Sequence, residues 1–150
     1  MGERIDYECN NCGWTYIREN DIFMIDEKHN IKVTPHLMLT SMQMGAHPAN
    51  GFYYERYCYH CNKFVKIFII KGIWDNIEGF KKDDIIKDIE KYDNSIKIIE
   101  FDESDNTMFS EKIPQKCPAC RNKIKELIHK SKCPKCKRGK LISKSIIMMD

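Results

Sequence analysis

Every cysteine in this 150-residue chain falls in a Cys-x-x-Cys hook. The hooks are Cys9/Cys12, Cys58/Cys61, Cys117/Cys120 and Cys133/Cys136. A hook of this kind puts two sulfurs on one side of a tight turn, so two hooks can fill the four positions around a tetrahedral ion. Eight cysteines therefore make two four-thiolate sites with none left over. Four thiolates leave no open coordination position, which is the pattern of a structural rather than a catalytic metal. Uniform spacing and an N-terminus without an apolar signal core favour metal over disulfides, and so a reducing, cytoplasmic setting.

The spacing suggests how the hooks pair. Twelve residues separate Cys120 from Cys133, close to the usual spacing of a four-cysteine zinc site. Cys117, Cys120, Cys133 and Cys136 are therefore expected to form one site. By elimination Cys9, Cys12, Cys58 and Cys61 form the other, across a forty-five-residue gap. A cross-brace joining the first hook to the third is the alternative. Two Zn(2+) are the expected cofactors, although four sulfurs also suit a single iron.

The segments between hooks point to a small, metal-stabilised α+β fold. Two zinc-ribbon units of short antiparallel strands are expected, with one main helix at about 81–92. Gly13 and Asn62 follow the second cysteine of their hooks, where the chain must turn left-handed. Trp14–Ile17, Asn30–Val33, Phe52–Tyr57, Lys63–Ile70, Ile96–Phe101 and Leu141–Met148 read as strands. Residues 121–132 read as a strand-and-turn excursion. Ile85, Ile86, Ile89 and Tyr92 recur at helical spacing, with Asp83, Asp84, Asp88 and Glu90 expected outside. Thr34-Pro35 starts a second, shorter helix over 36–44, where Leu37, Met38, Met42 and Met44 fill space or dock a protein partner. The expected division is an N-terminal ribbon with a long insert at 1–101, a linker at 102–111 and a basic C-terminal ribbon at 112–150.

Charge is unevenly distributed. The formal net charge is +3, but residues 112–144 carry twelve basic side chains and one acidic, while 75–111 carry twelve acidic and five basic. The candidate contact residues are Lys116, Arg121, Lys123, Lys125, Lys130, Lys132, Lys135, Lys137, Arg138 and Lys140. Such a cluster on a small fold is the footprint of nucleic-acid binding, RNA or DNA. Two blander roles compete: offsetting the thiolate charge and pairing with the acidic block. No aromatic residue lies within 112–144, so contact there is expected to be phosphate-driven and salt-sensitive. His60 lies inside a hook and is expected near the metal without binding it. His36 and His47 could pair. The remaining two, His29 and His129, carry no motif. No phosphate loop, nucleophile elbow or His-Glu-x-x-His is present, so no catalytic residue is assigned. No apolar run is long enough to span a membrane.

The run Cys9-Asn10-Asn11-Cys12-Gly13-Trp14-Thr15-Tyr16 resembles the first knuckle of rubredoxins. Their second knuckle usually reads Cys-Pro-x-Cys-Gly, and Cys58-Tyr59-His60-Cys61-Asn62 lacks both the Pro and the Gly. The order of knuckles, the run Tyr7–Gly13, Cys133-Pro134-Lys135-Cys136 and the ending Ile147-Met148-Met149-Asp150 are similar to uncharacterised microbial double zinc-ribbon proteins. That resemblance implies the architecture and no activity. The expectation is a non-enzymatic zinc-binding adaptor for nucleic acid or a protein assembly. A rubredoxin-like electron carrier, with iron at the Cys9 site, is the alternative.

Overall fold

Residues 63–70 are apolar on both sides of a strand, and such a run needs cover on both faces. The computed structural model, which describes residues 2–19, 21–26, 28–34, 49–73, 82–99 and 113–149, supplies it. In chain order the elements are β1 (Gly2–Cys9), β2 (Thr15–Glu19), β3 (Asp21–Ile25), β4 (Ile31–Thr34), β5 (Ala49–Cys58), β6 (Lys63–Ile73), α1 (Lys82–Glu90), β7 (Ser95–Ile99) and β8 (Leu141–Met149). They form a five-stranded sheet, β4-β3-β5-β6-β7, and a three-stranded sheet, β2-β1-β8. Among the described residues there is one helix and mostly strand.

The β5–β6 hairpin is the centre. On β6, Val65, Ile67, Ile69 and Phe68, Ile70 are all fully buried, alternating between the two faces. One face packs Phe68 and Ile70 with Phe23, Ile25, Tyr53 and the helix residues Ile85 and Ile89. The other packs Val65, Ile67 and Ile69 with Ile113, Ile124 and the thiols Cys58 and Cys117. A third cluster joins Ile5, Tyr7 and Leu141 of the small sheet to Tyr57 and Leu127. Gly51 lets β5 approach β6: a Cβ there would stand 1.9 Å from the Ile69 carbonyl oxygen.

Most expected strands are present, with differences that have physical reasons. The pairing of β6 with β7 is parallel, because α1 carries the chain back across the sheet. β3 was not expected; its short run Phe23-Met24-Ile25 has no alternation because all three side chains are buried. Residues 121–132 make only isolated bridges: Lys123 to Lys116, Lys125 to Tyr57 and Lys132 to Lys140. Asp88 does not face out. It is buried, and its carboxylate meets His29 Nδ1 at 2.8 Å and Lys91 Nζ at 3.3 Å. His29 reaches it from the β3–β4 turn, at a left-handed φ of 64°. The expected helix over 36–44, with His36, His47 and the Met-rich partner surface, and the linker at 102–111 lie outside the described residues.

Candidate metal centres

Hooks one, two and four adjoin strands and hook three sits on a segment tied by isolated bridges, and these backbone pairings decide which hooks meet. β1 and β8 are antiparallel, with Cys9 opposite Leu141. Hook one leaves β1 as hook four enters β8, so the two converge. On the β5–β6 hairpin, side chains alternate. Tyr57, Tyr59 and Phe64 point to the small sheet, while Cys58, Cys61 and Val65 point to the face covered by residues 113–124. Hook three rides on that cover, held by mutual backbone hydrogen bonds between Tyr57 and Lys125.

The resulting groups are Cys9, Cys12, Cys133 and Cys136, and Cys58, Cys61, Cys117 and Cys120. This corrects the pairing expected from spacing. Neither Cys9/Cys12 with Cys58/Cys61 nor Cys117/Cys120 with Cys133/Cys136 forms a group, and the cross-brace does not occur either. The two groups are nested: the outer joins the ends of the chain and the inner lies within it. Each draws two thiols from either side of the expected 102–111 boundary.

The geometry suits a tetrahedral ion. With metal–sulfur bonds of about 2.3 Å, ligand sulfurs stand about 3.8 Å apart. The outer group has Cys9–Cys136 at 3.6 Å and Cys12–Cys133 at 3.7 Å; the inner has Cys58–Cys120 at 3.5 Å and Cys61–Cys117 at 3.9 Å. Within each group all four sulfurs lie within 4.8 Å of one another. Both groups could therefore hold a metal ion, and the eight cysteines are the residues that would hold it.

All four hooks solve the turn identically. The residue after each second cysteine is left-handed: Gly13 (76°), Asn62 (56°), Arg121 (64°) and Lys137 (58°). Gly13 and Asn62 are as expected. Arg121 and Lys137 adopt the same turn despite carrying ordinary side chains. The turn aims backbone N–H groups at sulfur, a bond that favours thiolate. Asn11 and Cys12 donate to Cys9 Sγ at 3.4 and 3.5 Å, Cys61 to Cys58 Sγ at 3.4 Å, and Gly139 to Cys136 Sγ at 3.3 Å.

Thiol acidities divide within each group. The Gly139 N–H, helped by that of Arg138, brings Cys136 down to about 5. The Asn122 N–H brings Cys120 down to about 6. Burial pushes Cys133 up to about 11. Hydrogen bonding with Cys120, then burial, pushes Cys61 up to about 12. Each group thus joins a ready thiolate to a thiol that ionises only with help, and a bound cation supplies that help.

The outer group is also locked by backbone contacts. Asn10 N donates to the Lys140 carbonyl at 3.0 Å, and Lys140 N donates to Asn10 Oδ1 at 3.0 Å. Gly139 is the point of closest approach: a Cβ there would meet Cys9 Sγ at 2.5 Å and Asn11 Cβ at 2.6 Å. His60 is exposed, with its ring outside both groups.

The ten basic candidates are all exposed. Among the described residues none of them forms an ion pair. Arg18 and Arg56, by contrast, both meet Glu126, at 2.5 and 4.0 Å. Within the acidic block, Lys91 and Lys97 pair with Asp88 and Glu90. No described helix is long and apolar enough to cross a membrane. Comparison with known proteins returned no match to any family model, curated protein or solved structure. The likeness to double zinc-ribbon proteins therefore rests on the two four-cysteine groups alone.

Proposed function

We propose that this chain is a non-enzymatic, zinc-held adaptor that binds nucleic acid through the basic surface around its third and fourth hooks. The supporting observation is that all ten candidate Lys and Arg side chains are exposed and, among the described residues, free of carboxylate partners. The one acidic residue of that block, Glu126, is taken by Arg18 and Arg56, which lie outside it. Backbone N–H groups stabilise the thiolates of Cys9, Cys58 and Cys136. Among the described residues, the acidic block pairs instead with its own lysines, Lys91 and Lys97. The test is binding of a labelled oligonucleotide by the zinc-loaded protein at two salt concentrations. With six or more phosphate contacts, affinity falls about a thousandfold between roughly 50 and 200 mM salt. Salt-independent binding, or none, contradicts the reading.

A second reading draws on the corrected pairing. The partner of the Cys9 knuckle is Cys133-Pro134-Lys135-Cys136, which has the proline that Cys58–Cys61 lacks. This favours the rubredoxin-like alternative, with iron at the outer group. Red protein with a reversible one-electron couple after anaerobic purification would support it. Zinc retained after expression in iron-replete cells counts against it.

A further inference from the structure

The basic hooks carry no aromatic residue of their own, but the fold brings aromatic residues to them. Trp14 stacks on Tyr16 with rings 5.8 Å apart and 3° from parallel, and Tyr16 stacks on Phe64 at 5.3 Å and 19°. The row continues through Tyr57, edge-on to Phe64 at 5.1 Å, to Tyr59 at 4.9 Å. Trp14, Tyr16, Phe64 and Tyr59 are each only partly buried. Among the described residues, the Trp14 ring has aromatic neighbours on one side only.

The Tyr59 end of the row adjoins a lysine beside the fourth hook, and the Trp14 end is linked to that hook through the backbone. Lys132 Nζ stands 4.9 Å from the centre of the Tyr59 ring, and the Tyr59 hydroxyl donates to the Lys132 carbonyl at 2.5 Å. At the other end, Cys9 N donates to the Trp14 carbonyl, and the next residue, Asn10, donates to that of Lys140. Lys132 and Lys140 are themselves backbone partners. Backbone bonds therefore tie a row of partly exposed rings to the lysines flanking the fourth hook.

We propose that the ligand of the basic surface is a single-stranded nucleic acid, with bases stacked on the Trp14 and Tyr59 ends of this row and phosphates along Lys132, Lys135, Lys137 and Lys140. This rests on the nucleic-acid reading above and narrows it. A duplex keeps its base faces stacked on one another and offers only phosphates and groove edges. Partly exposed rings tied to exposed lysines match the two things a single strand presents, base faces and backbone charge. Stacking tolerates any base, so little sequence preference is expected.

The experiment compares a labelled oligothymidylate of about fifteen nucleotides with a duplex of the same length, using the full zinc-loaded chain. The single strand should bind at least tenfold more tightly. Trp14→Leu and Tyr59→Leu should each weaken it about tenfold and leave duplex binding unchanged, while Trp14→Phe and Tyr59→Phe retain most of the affinity. The cobalt-thiolate spectrum of each variant reports whether both cysteine groups still assemble. Should a leucine variant fail to assemble, quenching of Trp14 fluorescence by oligothymidylate in a Trp74→Phe background gives the same answer. Equal affinity for both forms, unchanged binding in the leucine variants, or unquenched Trp14 overturns the stacking proposal but spares the nucleic-acid reading. Absence of binding to either form overturns both.

Discussion

The two four-cysteine groups have nearly the same internal geometry and very different surroundings. The inner group, Cys58, Cys61, Cys117 and Cys120, is built into one face of the five-stranded sheet, packed with Val65, Ile67, Ile69, Ile113 and Ile124. The outer group, Cys9, Cys12, Cys133 and Cys136, ties the first and last strands together, and its Cys12 is exposed. Its sulfurs are also more distant in sequence, 121 residues for Cys12–Cys133 against 56 for Cys61–Cys117. Loop length matters little in itself, because closure entropy grows only by about 0.6 kcal/mol per doubling. Nesting reduces it further: once the inner group closes, the outer loop is cut to roughly half. The strands each group joins, rather than ligand chemistry, separate the two. The inner group packs on the central sheet; the outer one, with Cys9 and Cys133 buried beside Ile5, Tyr7, Tyr57, Leu127 and Leu141, fastens the first and last strands.

The largest expected difference follows from that. Replacing Cys58 and Cys117 by serine should abolish cooperative thermal unfolding. Structural zinc contributes about 10–16 kcal/mol, as much as a domain's entire stability, and here the cover of the central sheet goes with it. Replacing Cys9 and Cys133 should release β1, β2 and β8 from hydrogen-exchange protection while β5 and β6 stay protected. Loss of protection throughout in both pairs would erase the distinction.

Glycine substitutions probe the same contrast more gently. Gly51→Ala forces a Cβ onto the Ile69 carbonyl and should lower global stability by about 3 kcal/mol in denaturant titration. Gly139→Ala forces one against Cys9 Sγ, so it should weaken metal at the outer group alone. Two-step release to a chelator, with only the earlier step accelerated, is the expected signature.

Proton release on loading zinc at neutral pH gives a finer comparison. A group whose pKa lies below the working pH is already ionised and releases nothing. Cys136 at about 5 and Cys120 at about 6 are in that condition. Cys9 is also lowered: burial opposes this, but the N–H groups of Cys12 and Asn11 outweigh it. Cys58 is raised, chiefly by burial. The outer group should therefore release fewer protons than the inner, read with an indicator dye in the variant pairs above. Equal release contradicts the division.

The smallest effect concerns the β3–β4 turn, remote from both groups. Asp26 accepts from the N–H groups of Lys28 and Asn30, each at 2.9 Å. Burial works against ionisation, yet these bonds hold its carboxyl below the usual range. A lowered carboxylate stabilises above its unfolded pKa and loses that contribution as pH falls through the folded value. Asp26→Ala should lower the Tm of the zinc-loaded protein by about 2–4 °C at pH 7, with metal release unchanged.

The ligands were legible in the sequence because a hook is a local object, complete within four residues. So were the left-handed turns at Gly13 and Asn62, most strands and the helix around Ile85 and Ile89. Pairing was not legible from spacing, because strand register decides it. Twelve residues between Cys120 and Cys133 permit a local site, but Ile124 and Leu127 within that stretch are drawn into two different clusters and pull the hooks apart. A partial signal was present: the knuckle proline that Cys58–Cys61 lacks occurs in both Cys117-Pro118-Ala119-Cys120 and Cys133-Pro134-Lys135-Cys136, which points away from the second hook as partner of Cys9/Cys12 without choosing between the other two. Asp88 was misread because helical periodicity marks a polar position without revealing that His29, fifty-nine residues away, would meet it.

The nested pairing is the claim on which the rest stands. It is tested most directly by loading the protein with cadmium-113 and correlating each metal resonance with cysteine Hβ protons. Two resonances are expected, one coupled to Cys9, Cys12, Cys133 and Cys136 and the other to Cys58, Cys61, Cys117 and Cys120. A single resonance coupled to both Cys9 and Cys58, or to both Cys117 and Cys133, contradicts it.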